Sequence, residues 1–154
     1  MAKTSKFNPA TQRDTDKEQT AFHEAGHFII AKHFGVGVRC HLVDRGTPTI
    51  EETSFTGQTM YLRSTAFRHA VIGWGGVLGQ EMHAKEHDEW FNEVDSIWEY
   101  FECFSEDMSE TDLYAVNGHP MKRRAFDTAV RILSKNFQQV QIVASNLIKK
   151  GVHP

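Results

Sequence analysis

Two histidines four residues apart, with a glutamate beside the first, can act together only on a helix. In His23-Glu24-Ala25-Gly26-His27 this spacing puts both imidazoles on one face, about 40° apart around the axis. So placed, they can bind one zinc ion, and Glu24 stands close enough to hold a metal-bound water rather than the metal. The metal lowers the pKa of that water toward ~7, and the carboxylate can take its proton as hydroxide attacks a carbonyl, then pass it to a leaving amine. The flanking residues favour the helix. Thr15 followed by Glu18 reads as a capping box, Ala21, Phe22, Ala25, Phe28 and Ile29 mark one apolar face, and Gly35 offers a stop. A helix from Thr15 to about Phe34 is expected, after a flexible arm over residues 1–14.

A catalytic zinc usually has three protein ligands and one open position. His33 has the metzincin spacing from the motif, but that arrangement needs a glycine where this chain has Ile30. With the helix continuing, His33 points about 120° away from His27. The other candidates are carboxylates, and most of these lie in an acidic stretch. Between Glu81 and Asp112 are 12 of the 20 acids and one Lys, whereas Met121–Pro154 holds seven Lys or Arg and one Asp. Two helices that complement each other's charge are the expectation. A basic C-terminal docking surface for an acidic partner is the alternative.

The remaining 120 residues divide into short elements. Val36, Val38, Leu42 and Val43 suggest a strand, Arg45-Gly46-Thr47-Pro48 a turn, and Phe55 to Leu62 a second strand. Ser64 or Thr65 caps a helix over about 66–85. It contains Gly73, Gly75, Gly76 and Gly79, each costing about 1 kcal/mol relative to alanine, which implies close helix approach or a break near Gly75. Trp90, Phe91, Val94, Ile97, Trp98 and Phe101 form an apolar stripe on an amphipathic helix over 88–104. Ser109 caps a short helix through Val116. Pro120 opens a long helix to about Lys150, striped by Ala129, Leu133, Phe137, Val140, Ala144 and Leu147.

At 154 residues and 40% hydrophobic content the chain suits one domain with one core. A net charge of −3 gives no sign of nucleic acid. Cys40 and Cys103 match no metal spacing and point to a reducing, cytoplasmic setting. No signal peptide and no run of about 18 apolar residues is evident.

Several segments, in order, resemble the peptidase domain of the FtsH-type AAA zinc metalloproteases. Thr20 to His27 is close to that family's zinc helix. Val43-Asp44-Arg45-Gly46 and Phe55-Thr56-Gly57-Gln58-Thr59 resemble its following strand region, and Gly75 to Met82 its glycine-led helix ending in paired Glu residues. Ser109-Glu110-Thr111-Asp112-Leu113 is similar to its segment bearing an aspartate ligand, and Ala125 to Gly151 to its closing helix. The resemblance spans about Lys17 to Gly151, and only His-Glu-Ala-Gly-His is sharply specific. It implies a mainly α, zincin-like peptidase domain over 15–151, with a small two- or three-stranded sheet beside the zinc helix. It also implies Zn2+ held by His23, His27 and Asp112, with Glu24 as general base. Phe55, Thr56, Gly57, Gln58 and Thr59 would form a substrate-pairing edge strand. Glu81 is a candidate to orient a ligand, or an exposed helix residue.

The chain departs from that pattern in three ways. Its 154 residues hold no ATPase module, so it is not expected to unfold or thread folded proteins alone. Gln80 replaces the first of the paired Glu residues. The 31-residue spacing from Glu81 to Asp112 is longer by roughly one helix, which Trp90 to Phe104 accounts for. That insert could cover the site or, through Trp90, Trp98 and Phe101, bind a partner. The expected reaction is hydrolysis of flexible or unfolded polypeptide. The alternative is a non-catalytic zinc domain used for binding or regulation.

Overall fold

The structure, a computed structural model, describes residues 7–85 and 90–153. The chain is mainly helical, with a three-stranded antiparallel sheet to one side. Helix α1 (Pro9–His33) starts seven residues before the capping box would place it. Asn8 is the actual N-cap, its side chain accepting from the Ala10 and Thr11 amides, with proline in the first turn. Thr15 lies inside the helix and its hydroxyl donates to the Thr11 carbonyl. Residues 9–14 of the expected arm are therefore helical, and they hold the sheet. Arg13 makes a two-pronged pair with Asp44, at 2.9 and 2.6 Å, and donates to the Gly46 carbonyl. One turn on, buried Asp16 accepts from the Ser54 amide at 2.8 Å, just ahead of β2.

Strands β1 (Val38–Asp44) and β2 (Phe55–Tyr61) form where the β-branched and aromatic pattern predicts. They pair antiparallel, from Val38 with Tyr61 to Asp44 with Phe55. A short β3 (Val152–His153) joins the other side of β1 after Gly151 turns the chain at φ 75°, so β2 is an edge.

Helix α2 (Ala66–Ala84), capped by Thr65, crosses α1 at glycines. It does not break near Gly75. A Cβ on Gly26 would lie 1.9 Å from the Gly75 carbonyl oxygen, and one on Gly79 2.4 Å from the Phe22 carbonyl oxygen. The two backbones touch, which is why α2 tolerates the low helix propensity of glycine.

After a 3-10 turn (Phe91–Glu93) comes α3 (Val94–Cys103), the body of the expected 88–104 helix; residues 86–89 lie outside those described. Of the expected stripe, Trp90, Ile97 and Phe101 are turned inward. Trp90 is fully buried and its indole donates to Ser134 Oγ at 3.1 Å; Phe101 is buried, and Trp98 packs on Trp74 and Phe126. Helix α4 (Glu110–Asn117) follows Ser109 as expected. Pro120 stays outside the next helix, and the long C-terminal helix is two: α5 (Lys122–Lys135) and α6 (Phe137–Lys150). They part at Asn136 (φ −120°, ψ 25°), whose side chain donates back to the Ile132 carbonyl. Ala129, Leu133, Val140, Ala144 and Leu147 stay buried across the bend. Among the described residues the expected charge complementarity shows where Arg123 of α5 pairs with Asp95 of α3 at 2.6 Å.

Gly26→Ala forces the α1 and α2 backbones apart and should cost about 1–3 kcal/mol, as overpacking does. At about 2–4 °C per kcal/mol for a chain of this size, a thermal melt should show a drop of several degrees. An unchanged Tm would mean that the helices separate freely.

Candidate metal centre

The middle of α1 carries His23, Glu24 and His27, of which Glu24 and His27 are buried. The glycine crossing sets these side chains directly over α2. A Cβ on Gly76 would come within 2.4–2.5 Å of Nε2 of both histidines, so only glycine leaves room beneath the imidazoles. The rings meet edge to face, their centroids 4.8 Å apart.

Asp112 arrives from α4. Ser109 caps that helix by accepting from the Asp112 amide at 3.2 Å, which fixes Asp112 in the first turn, where the helix dipole favours an anion. Its carboxylate oxygens lie 2.9 Å from His23 Nε2 and 3.2 Å from His27 Nε2, and the two Nε2 atoms are 3.1 Å apart. The three donors can hold a metal ion. An ion bound tetrahedrally through bonds of ~2.0–2.1 Å has ligand atoms about 3.3 Å apart, close to the separations found.

The far sides of the rings fix which nitrogen faces the cluster. His27 Nδ1–H donates to the Ile72 carbonyl at 2.6 Å, and since a carbonyl only accepts, Nδ1 keeps a proton and Nε2 is the nitrogen that faces inward, open to a metal once its own proton is lost. His23 Nδ1 lies 2.5 Å from Gln80 Oε1, which plays the same part. Gln80, not Glu81, is therefore the side chain that meets His23. Glu81 sits one position round the helix and pairs with Lys85 at 3.6 Å. The Gln80 role was legible only as a departure from the paired-Glu pattern. His33 is exposed and packs on Phe34, outside the cluster.

Burial disfavours charge on both His27 and Asp112, but their mutual attraction outweighs it. The Asp112 carboxyl is held well below the ordinary carboxylate range, and the His27 imidazolium is pushed up to about 9.

Glu24 lies beside the donors in a cleft of about 410 Å³, facing β2. Thr59 Oγ1 donates to its carboxylate in a short hydrogen bond. The side chain lies so close over Gly57 that a Cβ there would sit 2.3 Å from Glu24 Cγ. Of the expected edge-strand residues, Thr56, Gly57, Gln58 and Thr59 line the cleft, whereas Phe55 is buried under the Arg13 guanidinium. Tyr61, not singled out as a site residue from the sequence, also lines it; burial, then the Asp112 charge, raises its phenol pKa. The Leu62 amide bonds to Gly37 and the Arg45 amide to Ser54. By antiparallel alternation the even-numbered residues of β2 therefore pair with β1, while the backbone groups of Gly57, Thr59 and Tyr61 face the open edge. None of the described residues of α3 lines the cleft.

No family model matches the chain, and no curated protein matches its sequence. Among the described residues no helix is long and apolar enough to cross a membrane.

Two outcomes follow. Gln80→Leu should weaken metal binding about 10–100-fold, the usual cost of removing a ligand's outer partner, and Asp112→Ala should weaken it more; competition with a chromophoric chelator measures both. Because His27 must lose its proton to bind metal, apparent affinity should keep climbing with pH past 6.5, the ordinary imidazole value, and level off only near 9. A metal titration across that range checks it, and a plateau by pH 7 would contradict the coupling to Asp112.

Proposed function

We propose that the chain is a zinc metallopeptidase that hydrolyses peptide bonds in flexible or unfolded polypeptide. The observation that carries this reading is Glu24. A buried carboxylate stands in one cleft with a convergent His23–His27–Asp112 donor set, beside a strand with a free edge. A metal centre serving stability alone has no chemical need of that carboxylate.

Two imidazoles and one carboxylate suit zinc, in the pattern of three protein ligands and an open position. When bound, the ion supplies a Lewis acid that acidifies water and polarises an amide carbonyl. The rest falls to the chain's own groups. Gln80 and the Ile72 carbonyl hold the histidines with Nε2 facing inward. Thr59 holds one Glu24 oxygen, leaving the other to take a proton from the attacking water and deliver it to the departing amine. The open edge at Gly57, Thr59 and Tyr61 would pair with an extended substrate backbone, laying it along the cleft with little dependence on sequence. Such pairing needs an unfolded segment. The resemblance to FtsH-type peptidase domains agrees with this assignment of roles.

The test is cleavage of an unfolded, fluorescently labelled protein by the zinc-loaded chain, with Glu24→Gln alongside. The parent should cleave. The variant should bind zinc as the parent does and lose at least ~100-fold in rate, as expected for loss of a general base. Failure of both to cleave, with zinc bound, would favour the non-catalytic zinc domain.

A further inference from the structure

We infer that the Tyr61 phenol is a second catalytic group of the metal cleft, donating a hydrogen bond to the substrate carbonyl oxygen as negative charge gathers there. The inference rests on the peptidase reading above. Glu24 accounts for the proton that leaves the attacking water. The oxygen that gains charge is served by a donor already aimed at it, and such groups carry a large share of acyl-transfer catalysis. Most polar side chains of the cleft are engaged elsewhere. Thr20 donates to the Asp16 carbonyl, Thr59 donates to Glu24, and Gln80 is held against His23. Thr56, Gln58, Ser109 and Thr111 line the cleft but are exposed, where water competes for them. Tyr61 differs on both counts. It is half-buried in the cleft, and its hydroxyl has no hydrogen-bond partner among the described residues.

Its place in the fold suits that task. Helix α1 and β2 run side by side in the same direction, Thr20 meeting Phe55 and Glu24 meeting Thr59. Tyr61 follows Thr59 on the same face of β2, about 7 Å farther along the strand. Glu24 and the phenol are thus ranged along the axis on which an extended substrate would lie. The ring is held in place. It packs edge to face on His69 of α2, centroids 5.5 Å apart, and His69 Nε2 accepts from the Ser64 amide at 2.8 Å. As the water oxygen bonds to the amide carbon, the C=O π pair moves onto the carbonyl oxygen and Glu24 takes the water's proton. On collapse the pair returns, the C–N bond breaks with its electrons going to nitrogen, and the amine takes the proton from Glu24. Tyr61 keeps its own proton throughout and stabilises the charged oxygen between these two events.

The experiment compares the zinc-loaded full chain with Tyr61→Phe, which keeps the ring on His69 and removes only the donor. On an unfolded, labelled protein kcat should fall about 10–100-fold, at or below the usual loss for one such donor, with KM within about twofold. Calorimetry supplies a readout that needs no turnover. A phosphinic peptide, which carries a charged oxygen in place of the carbonyl's, should bind the variant about tenfold more weakly. A reduced-amide peptide of the same sequence, which lacks that oxygen, should bind both chains equally. Zinc affinity, read by chelator competition, should not change. Unchanged kcat, unchanged affinity for the phosphinic peptide, equal losses for the two peptides, or a fall in zinc affinity would overturn the inference while leaving the peptidase reading intact. A zinc-loaded parent that neither cleaves nor binds the phosphinic peptide would overturn both.

Discussion

The contact between α1 and α2 at Gly26, Gly75 and Gly79 is the constraint from which the rest of the site follows. Helices with ordinary side chains pack with their axes 8–10 Å apart; here backbone meets backbone. The closeness lets the Ile72 carbonyl reach His27, Gln80 reach His23, and both imidazoles lie over Gly76. The three α2 residues share one helical surface, so a single helix supplies the floor and both outer partners. The helix-propensity cost of its glycines is offset by a buried stretch from Ala70 to Gly79 that is closed on every side.

The sheet fixes the other half. Arg13 and Asp16 tie the first turns of α1 to Asp44, Gly46 and Ser54, which sets β2 across the same helix that carries the histidines. Thr59 and Gly57 then meet Glu24 from that side. The carboxylate is held between strand and helix while the imidazoles are held between two helices. The group assigned to move protons and those assigned to hold metal are thus positioned by different parts of the fold.

Much of this was legible in the sequence, for physical reasons. The i,i+4 histidines, the glycine-rich α2, the Thr65 and Ser109 caps and both principal strands rest on local rules, and the structure places them as read. Asp112, 85 residues from His27, has no local signal; it was found only through the order of resembling segments. The start of α1 was misplaced although Asn8-Pro9 is a good start signal, because the Thr15–Glu18 pair offered a second one. The bend at Asn136 escaped because the apolar stripe runs through it unbroken and asparagine is only mildly unfavourable in a helix. Gln80 and Glu81 differ by 100° around α2, and periodicity alone does not say which turns toward His23.

A backbone frame closed by touching glycines has a consequence for the order of events in the cell. Domains whose cores are small borrow their folding energy from the metal and collapse only once it arrives. Here the frame is assembled by main-chain contact and a large apolar core. Folding and loading are therefore separable. Under the proposed function, metal supply rather than folding then sets the fraction of molecules that act.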